Sequence, residues 1–479
     1  MGSLRLSGDW VAGIVVHVAG DAEREARRRR RQVRAKRRGW VKITLATIAV
    51  GVTSGLGGML LGLLLHGVQH LAYGYSNAHG HETFLEGVQA AEPVRRLAAL
   101  TVCGLLAGVG WWAIYRWGKP LVSISRSIEP RGPRMPLAAT TAHILLQIVT
   151  VGLGSPLGRE VAPREAGAML AERVGRWAGL TPARRRVLMA CGAGAGLAAV
   201  YNVPLGGALF VLEGLLGSFA IPVAVPAIAT ATIAALVAWI GLGDQRIYEM
   251  PAMAISPSLL AWSIAAGPVM GLGAVGFVRL TSLARKAAPR DWRLVSWCVL
   301  IFPAIGLAAM RYPALLGNGR GLAQIGFDGE LALGTAILLL VLRALVTIAA
   351  IRAGGQGGLL TPSIAVGAML GMATGAVWTR VWPGAPMGAF ALIGAAAFLG
   401  SSMRMPATAT VLMLEFTRVG HDFFLPILLA VAGAVGTSYL FGLRLQTVVE
   451  LPRDRTSTLA LGENLGARSG DRSAEHDLG

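Results

Sequence analysis

A chain of 479 residues that is 54% hydrophobic and only 14% charged is too apolar for an ordinary soluble fold, which excludes a multidomain soluble enzyme. Its net charge of +19 is not spread evenly; the densest block, E-R-E-A-R-R-R-R-R-Q-V-R-A-K-R-R at 23–38, directly precedes the first long apolar run. Such a block can bind nucleic acid. Beside an apolar run, however, it reads as a lipid-facing cytoplasmic segment, and nucleic acid is not an expected partner.

From the N-terminus, residues 4–18 have the pattern of a short interfacial helix. Their charge follows the apolar residues instead of preceding them, which argues against a cleaved signal peptide. Long apolar runs then occur at 41–65, 97–115, 187–215, 222–241, 331–351, 386–402 and 423–442. Runs of this kind match the thickness of a bilayer core. Helices satisfy their own backbone in lipid, so the prediction is an all-α polytopic membrane protein. Basic clusters at Arg173 to Arg186 and Arg285 to Arg293 suggest further cytoplasmic loops. Cys103, Cys191 and Cys298 lie in apolar segments without paired spacing and read as packing residues.

Two distant stretches repeat. G-A-G-A-G-L-A-A-V-Y-N-V-P-L-G-G-A-L-F-V-L-E at 192–213 shares Gly, Leu, Pro, Leu and Glu at matching offsets with G-A-A-A-F-L-G-S-S-M-R-M-P-A-T-A-T-V-L-M-L-E at 394–415. Upstream, G-A-M-L occurs at 167–170 and 367–370, each time after a Gly- and Pro-containing break: G-R-E-V-A-P, then G-G-Q-G-G-L-L-T-P. The chain therefore divides into a basic segment 1–39, half-repeats 40–245 and 246–450, and a short polar tail 451–479. Internal duplication with interrupted helices is common in transport proteins, and the breaks in corresponding positions are where a site is expected.

A helix that begins inside the membrane leaves its first N–H groups without partners. An anion suits that position, because the helix dipole also favours negative charge there. Glu160 stands at such a start, where its carboxylate can occupy the anion's own place and leave it when protonated or displaced. Intramembrane ionisable groups are functional candidates; the alternative is simple pairing of Glu160 with Arg159 or Arg164. Arg164 and Glu165 read as structural partners, and Arg173 and Arg176 carry the helix toward a basic face.

These residues resemble the chloride channel (CLC) family of anion channels and proton-coupled anion exchangers. The resemblance is carried by G-R-E, by G-A-G-A-G-L-A-A-V-Y-N-V-P-L-G-G-A-L-F-V-L-E, by L-L-G-N-G at 315–319, by G-G-L-L-T-P and by S-M-R-M-P-A-T-A-T-V-L-M-L-E-F-T, in that order. It implies an inverted repeat of tilted, broken helices, and a homodimer with one anion path per subunit. It further implies an inner-membrane location, cytoplasmic termini, chloride or a similar monovalent anion as cargo, and no cofactor. Carried over, Glu160 takes the family's gating position, flanked by Gly158, Arg159 and Val161. Gly358, Leu359 and Leu360 fall where backbone amides coordinate the anion.

Departures from the family pattern are also legible. G-R-E-G-P becomes G-R-E-V-A-P, with Val161 at a glycine position and Pro163 one place late. The serine-bearing G-S-G-I-P is replaced by G-K-P-L-V at 118–122. Lys119 then either faces the anion or marks the cytoplasmic surface beside Arg116, with Ser123 and Ser125 as alternative hydroxyl donors. The C-terminal pore tyrosine is replaced by Gln446. The family's internal proton-relaying glutamate falls at Gly214, which cannot relay a proton, while Glu213 and its repeat partner Glu415 read as structural. The expectation is a passive chloride channel gated by Glu160, the alternative a chloride/proton antiporter whose proton route avoids an internal glutamate.

Two patterns point to other classes. H-G-H-E-T-F at 79–84 holds a His-x-His without a further ligand set. Ser155 with His143 is the one pair that an intramembrane hydrolase could use, and no motif supports such a dyad.

Overall fold

A computed structural model describes residues 8–74 and 83–441, with side chains from residue 39 onward. Among the described residues there are 17 α-helices and no strand. Eight helices are long and apolar enough to cross a membrane, from Gly39–Tyr73 and Pro93–Trp117 through Leu360–Trp378 to His421–Leu440. Large apolar side chains such as Leu71, Ile240, Leu300 and Leu440 stand on the outside of the molecule. That surface suits lipid and not water, and the protein is a multi-pass membrane protein.

The two halves repeat in structure as they do in sequence. Leu137–Gly152, Val161–Trp177, Pro182–Tyr201, the helix opening at Pro204 and Ile221–Leu242 recur as Leu333–Arg352, Leu360–Trp378, Met387–Met403, Pro406–Thr417 and Phe424–Leu440. The agreement reaches single dihedrals. Asn202 (φ 55°, ψ 49°) and Arg404 (φ 54°, ψ 37°) both end their helices in the left-handed conformation. Gly154 and Gly354 open the two breaks at φ 101° and 104°, which glycine adopts without a Cβ clash.

This punctuation changes one expected element. The apolar run 187–215 is two helices, because Asn202 turns the chain and Pro204 cannot donate a backbone hydrogen bond. Its second piece ends in a π-helical turn, Phe210–Leu215. The run at 386–402 is helical over Met387–Met403 but enclosed by protein along its length.

Each half closes the other's helix starts. The Glu213 carboxylate accepts from Ala407 N at 3.1 Å, Thr408 N at 2.7 Å and Thr408 Oγ1 at 2.6 Å. In return Glu415 accepts from Leu205 N at 2.9 Å and Gly206 N at 2.7 Å. A carboxylate at a helix start satisfies orphan donors and complements the dipole, so this exchange locks the halves together. Tyr201, Phe210, Leu360 and Phe416 share one hydrophobic core that draws on both halves.

The N-terminal segment differs from its expected layout. A single helix, Gly8–Tyr73, runs through the boundary placed at 39, absorbing most of the short helix predicted over 4–18. Between Ala22 and Arg38 the sequence has no glycine or proline and is rich in Ala, Arg and Glu, so nothing there stops a helix. Cys103, Cys191 and Cys298 are free and buried. His79 and His81 lie outside the described residues.

Candidate functional site

The two breaks meet. Gly158 N donates to Gly358 O and Gly358 N to Gly158 O, both at 2.8 Å, forming an isolated antiparallel bridge between the halves. Immediately after it, helices Val161–Trp177 and Leu360–Trp378 begin, and neither first turn has a side-chain cap from its own N-cap residue.

Glu160 fills the space between them. It is fully buried, and its Oε1 accepts from the Leu360 amide at 2.7 Å. Its Oε2 accepts from the Tyr201 and Thr361 hydroxyls, each at 3.4 Å, and those hydroxyls are 3.2 Å apart. A Cβ built on Gly158 or Gly358 would collide with this carboxylate. Both glycines thus leave room for the carboxylate where it sits, and the seat is shaped around a small negative group.

Neither arginine pairs with the carboxylate. Arg164 Nε donates to the Glu160 carbonyl at 2.9 Å and its guanidinium lies over Phe210. The Arg159 guanidinium stacks 4.9 Å from the Tyr201 ring centre. Arg164 and Glu165 therefore have separate partners: Glu165 faces Gln147 and His143. The two side chains leave their shared helix in different directions, one back toward the N-terminal turn and one onto Leu137–Gly152.

On one side of the seat opens a vestibule of about 1810 Å³, whose wall includes Val161, Gly358 and Leu359. Lys119 is exposed on this wall, apart from the groups that hold Glu160. Ser123 is engaged as the cap of a short helical turn, accepting from Arg126 N at 3.4 Å, while Ser125 is buried. Gly214 is buried in the π turn against the Met405 sulfur. Gln446 lies outside the described residues.

His143 accepts from Trp111 Nε1 and faces Glu165, so Ser155 has no base in it. Among the described residues no group of three or more His, Cys, Asp or Glu is placed to hold a metal.

Sequence reasoning did not single out Tyr201 or Thr361. The signal was present: Tyr201 is the single large polar side chain in G-A-G-A-G-L-A-A-V-Y, at the last position before a chain reversal. Its reach to Glu160 depends on how Pro182–Tyr201 packs on Val161–Trp177, which no local pattern states.

Together these features define a membrane protein made of two inverted, interlocked repeats whose helix starts converge on one buried carboxylate. A family model described as voltage gated chloride channel matches residues 103–439, and the chain belongs to that family, the CLC family. It is 28% identical over 365 residues to the H(+)/Cl(-) exchange transporter ClcA of Cronobacter sakazakii (strain ATCC BAA-894), covering 72% of this chain and 77% of that protein. Two solved structures share the fold. A slow cyanobacterial Cl-/H+ antiporter aligns with TM-score 0.74 at 19% identity, over 89% of this chain and 99% of that one. A CLC-type fluoride/proton antiporter aligns with TM-score 0.61 at 18% identity, over 85% and 98%.

Proposed function

We propose that this protein exchanges chloride for protons, with Glu160 as the gate. The observation that carries this reading is the Glu160 carboxylate on the Leu360 amide: a seat at a helix start, lined by donors, holding a negative group that protonation can release. Chloride takes the seat when the carboxylate leaves it. Gly158 and Gly358 give it room; the amides at Val161, Leu359 and Leu360 and the field of Arg159 attract it. Because the donors that touch the seat are a neutral amide and two hydroxyls, with no ammonium or guanidinium among them, binding stays weak enough for the anion to leave.

Gly214 on its own favours a passive channel, since it removes the family's internal relay. The relatives named as proton exchangers support coupled exchange instead. In this reading the protein is a homodimer in the inner membrane with one path per subunit and cytoplasmic termini, and no cofactor takes part. Lys119 and its neighbours concentrate anions in the vestibule and are not part of the seat. Gln446 joins the path in this reading by its place in the sequence, where the family carries a tyrosine.

The test is chloride efflux from liposomes holding the purified protein, with proton movement recorded at the same time. A chloride gradient that drives protons uphill is the expected result. Chloride current set by an imposed voltage, with no uphill proton movement, would return the protein to the channel class.

A further inference from the structure

If Gly214 relays nothing, an exchanger needs another group that takes protons from the vestibule. We propose that Glu165, supported by His143 and Gln147, is that proton-binding site. This rests on the exchange reading above.

The geometry is specific. Trp111 Nε1 donates to His143 Nδ1 at 3.0 Å, so Nδ1 is an acceptor and the neutral imidazole carries its proton on Nε2. Nε2 faces Glu165 Oε2 at 3.8 Å, a gap that a small side-chain movement closes to a hydrogen bond. Gln147 Nε2 reaches the same carboxylate oxygen at 3.4 Å. Gln147 is fully buried and its Oε1 has no hydrogen-bond partner among the described residues. Rotating that amide by half a turn would present the oxygen to Glu165, so one side chain can serve both protonation states: N–H to the carboxylate, C=O to the carboxylic acid.

Position supports the same role. Glu165, His143 and Gln147 line the vestibule that also reaches Val161, Gly358 and Leu359 at the foot of the Glu160 seat. Glu165 lies five residues beyond Glu160 on one helix, and the intervening Arg164 is bonded to the Glu160 carbonyl. The charged and titratable groups around Glu165 are His143 on Leu137–Gly152, Arg164 on its own helix and Tyr115 on Pro93–Trp117, with Lys119, Arg126, Arg279, Arg285, Lys286 and Arg290 elsewhere on the cavity wall. Among the described residues, the one ion-pair contact of the Glu165 carboxylate is His143. A carboxylate so placed in a membrane protein, opening onto a cavity wide enough for many waters, is a candidate to bind and release protons.

The step is a simple transfer. The Glu165 carboxylate takes a proton from a hydronium ion in the vestibule: one O–H bond of the hydronium breaks, one forms on the carboxylate, and a water molecule is left. Glu165 releases that proton through cavity water to the Glu160 carboxylate while chloride occupies the Leu360 amide. No bond other than O–H forms or breaks.

The experiment compares parent, Glu165→Gln and Glu165→Asp in the chloride and proton liposome assay, with each variant's elution profile checked first. Support is a parent that pumps protons, an E165Q variant that moves chloride while its uphill proton flux falls about a hundredfold, and partial recovery in E165D. An E165Q variant that pumps as the parent does overturns the assignment and leaves exchange standing. Parallel loss of both fluxes in E165Q makes Glu165 a structural group and overturns it too. A parent that pumps no protons overturns the exchange reading itself, and this assignment with it.

Discussion

The two breaks are built alike and charged differently. Gly154 to Glu160 and Gly354 to Leu360 begin with the same left-side glycine conformation, meet in a mutual bridge and open helices of similar length. Only the first carries a carboxylate. The second offers the amide on which that carboxylate sits. Duplication alone would produce two equal anion-attracting starts; one glutamate turns a symmetric pair into a donor and a competitor. The site's chemistry therefore lives in the asymmetry, and its precision lives in the symmetry.

The largest way to break this contrast is Glu160→Gln. The variant keeps the shape of the first break and removes its charge. Chloride efflux should lose its acid activation, stay at or above the parent's rate at neutral pH, and no longer couple to protons. Efflux measured from pH 4.5 to 7.5, on the order of tenfold above the parent at the alkaline end, is the expected profile. A variant with the parent's profile would make Glu160 a structural residue.

Gly358→Ala attacks the same contact from the other half. Its Cβ would meet the Glu160 carboxylate, which must swing away from the Leu360 amide. Efflux should become several-fold less dependent on pH, with a stability loss of about 1–3 kcal/mol for the forced overlap. Thermal unfolding in detergent checks the second figure. A smaller version of the test compares Glu213→Gln with Glu415→Gln. Each carboxylate caps the other half's helix, so each loss should cost about 1–2 kcal/mol. Glu213→Gln should be the costlier, since it also weakens the Thr408 hydroxyl bond.

The smallest effect is expected outside the membrane. Asn202 and then Arg418 hold the Asp244 carboxyl below its usual range, joining the ends of both repeats. A lowered folded-state value means the contribution is present above the unfolded aspartate value of about 3.9 and fades as pH falls below it. Asp244 is nearly half exposed, so the contribution is small. Asp244→Asn should thus leave the pH profile of efflux above pH 4.5 unchanged, while a shifted profile would mean that acid acts through this link as well as through Glu160.

Much of the framework is legible from composition and punctuation. Apolar runs of bilayer length, glycine and proline at two matched breaks, and G-A-M-L after each place the repeats and point to Glu160. What escapes is contact between elements. Tyr201 and Thr361 reach the carboxylate only because three helices converge. Glu165 reads locally as a partner for Arg164, yet a helix sends adjacent side chains about 100° apart, and the tertiary neighbours decide their partners. The basic block at 23–38 reads as a separate segment by charge, although its residues are good helix formers and continue into the first span.

The Gly158–Gly358 bridge has a mechanical meaning as well. Hinge or shear motion of one half against the other would have to break two buried backbone hydrogen bonds together with both carboxylate caps, leaving orphaned polar groups within the membrane. The bridge acts as a rivet between the two halves beside the Glu160 seat. Under the proposed function, access to either side of it is a matter of the Glu160 side chain swinging and needs no rocking of one half against the other.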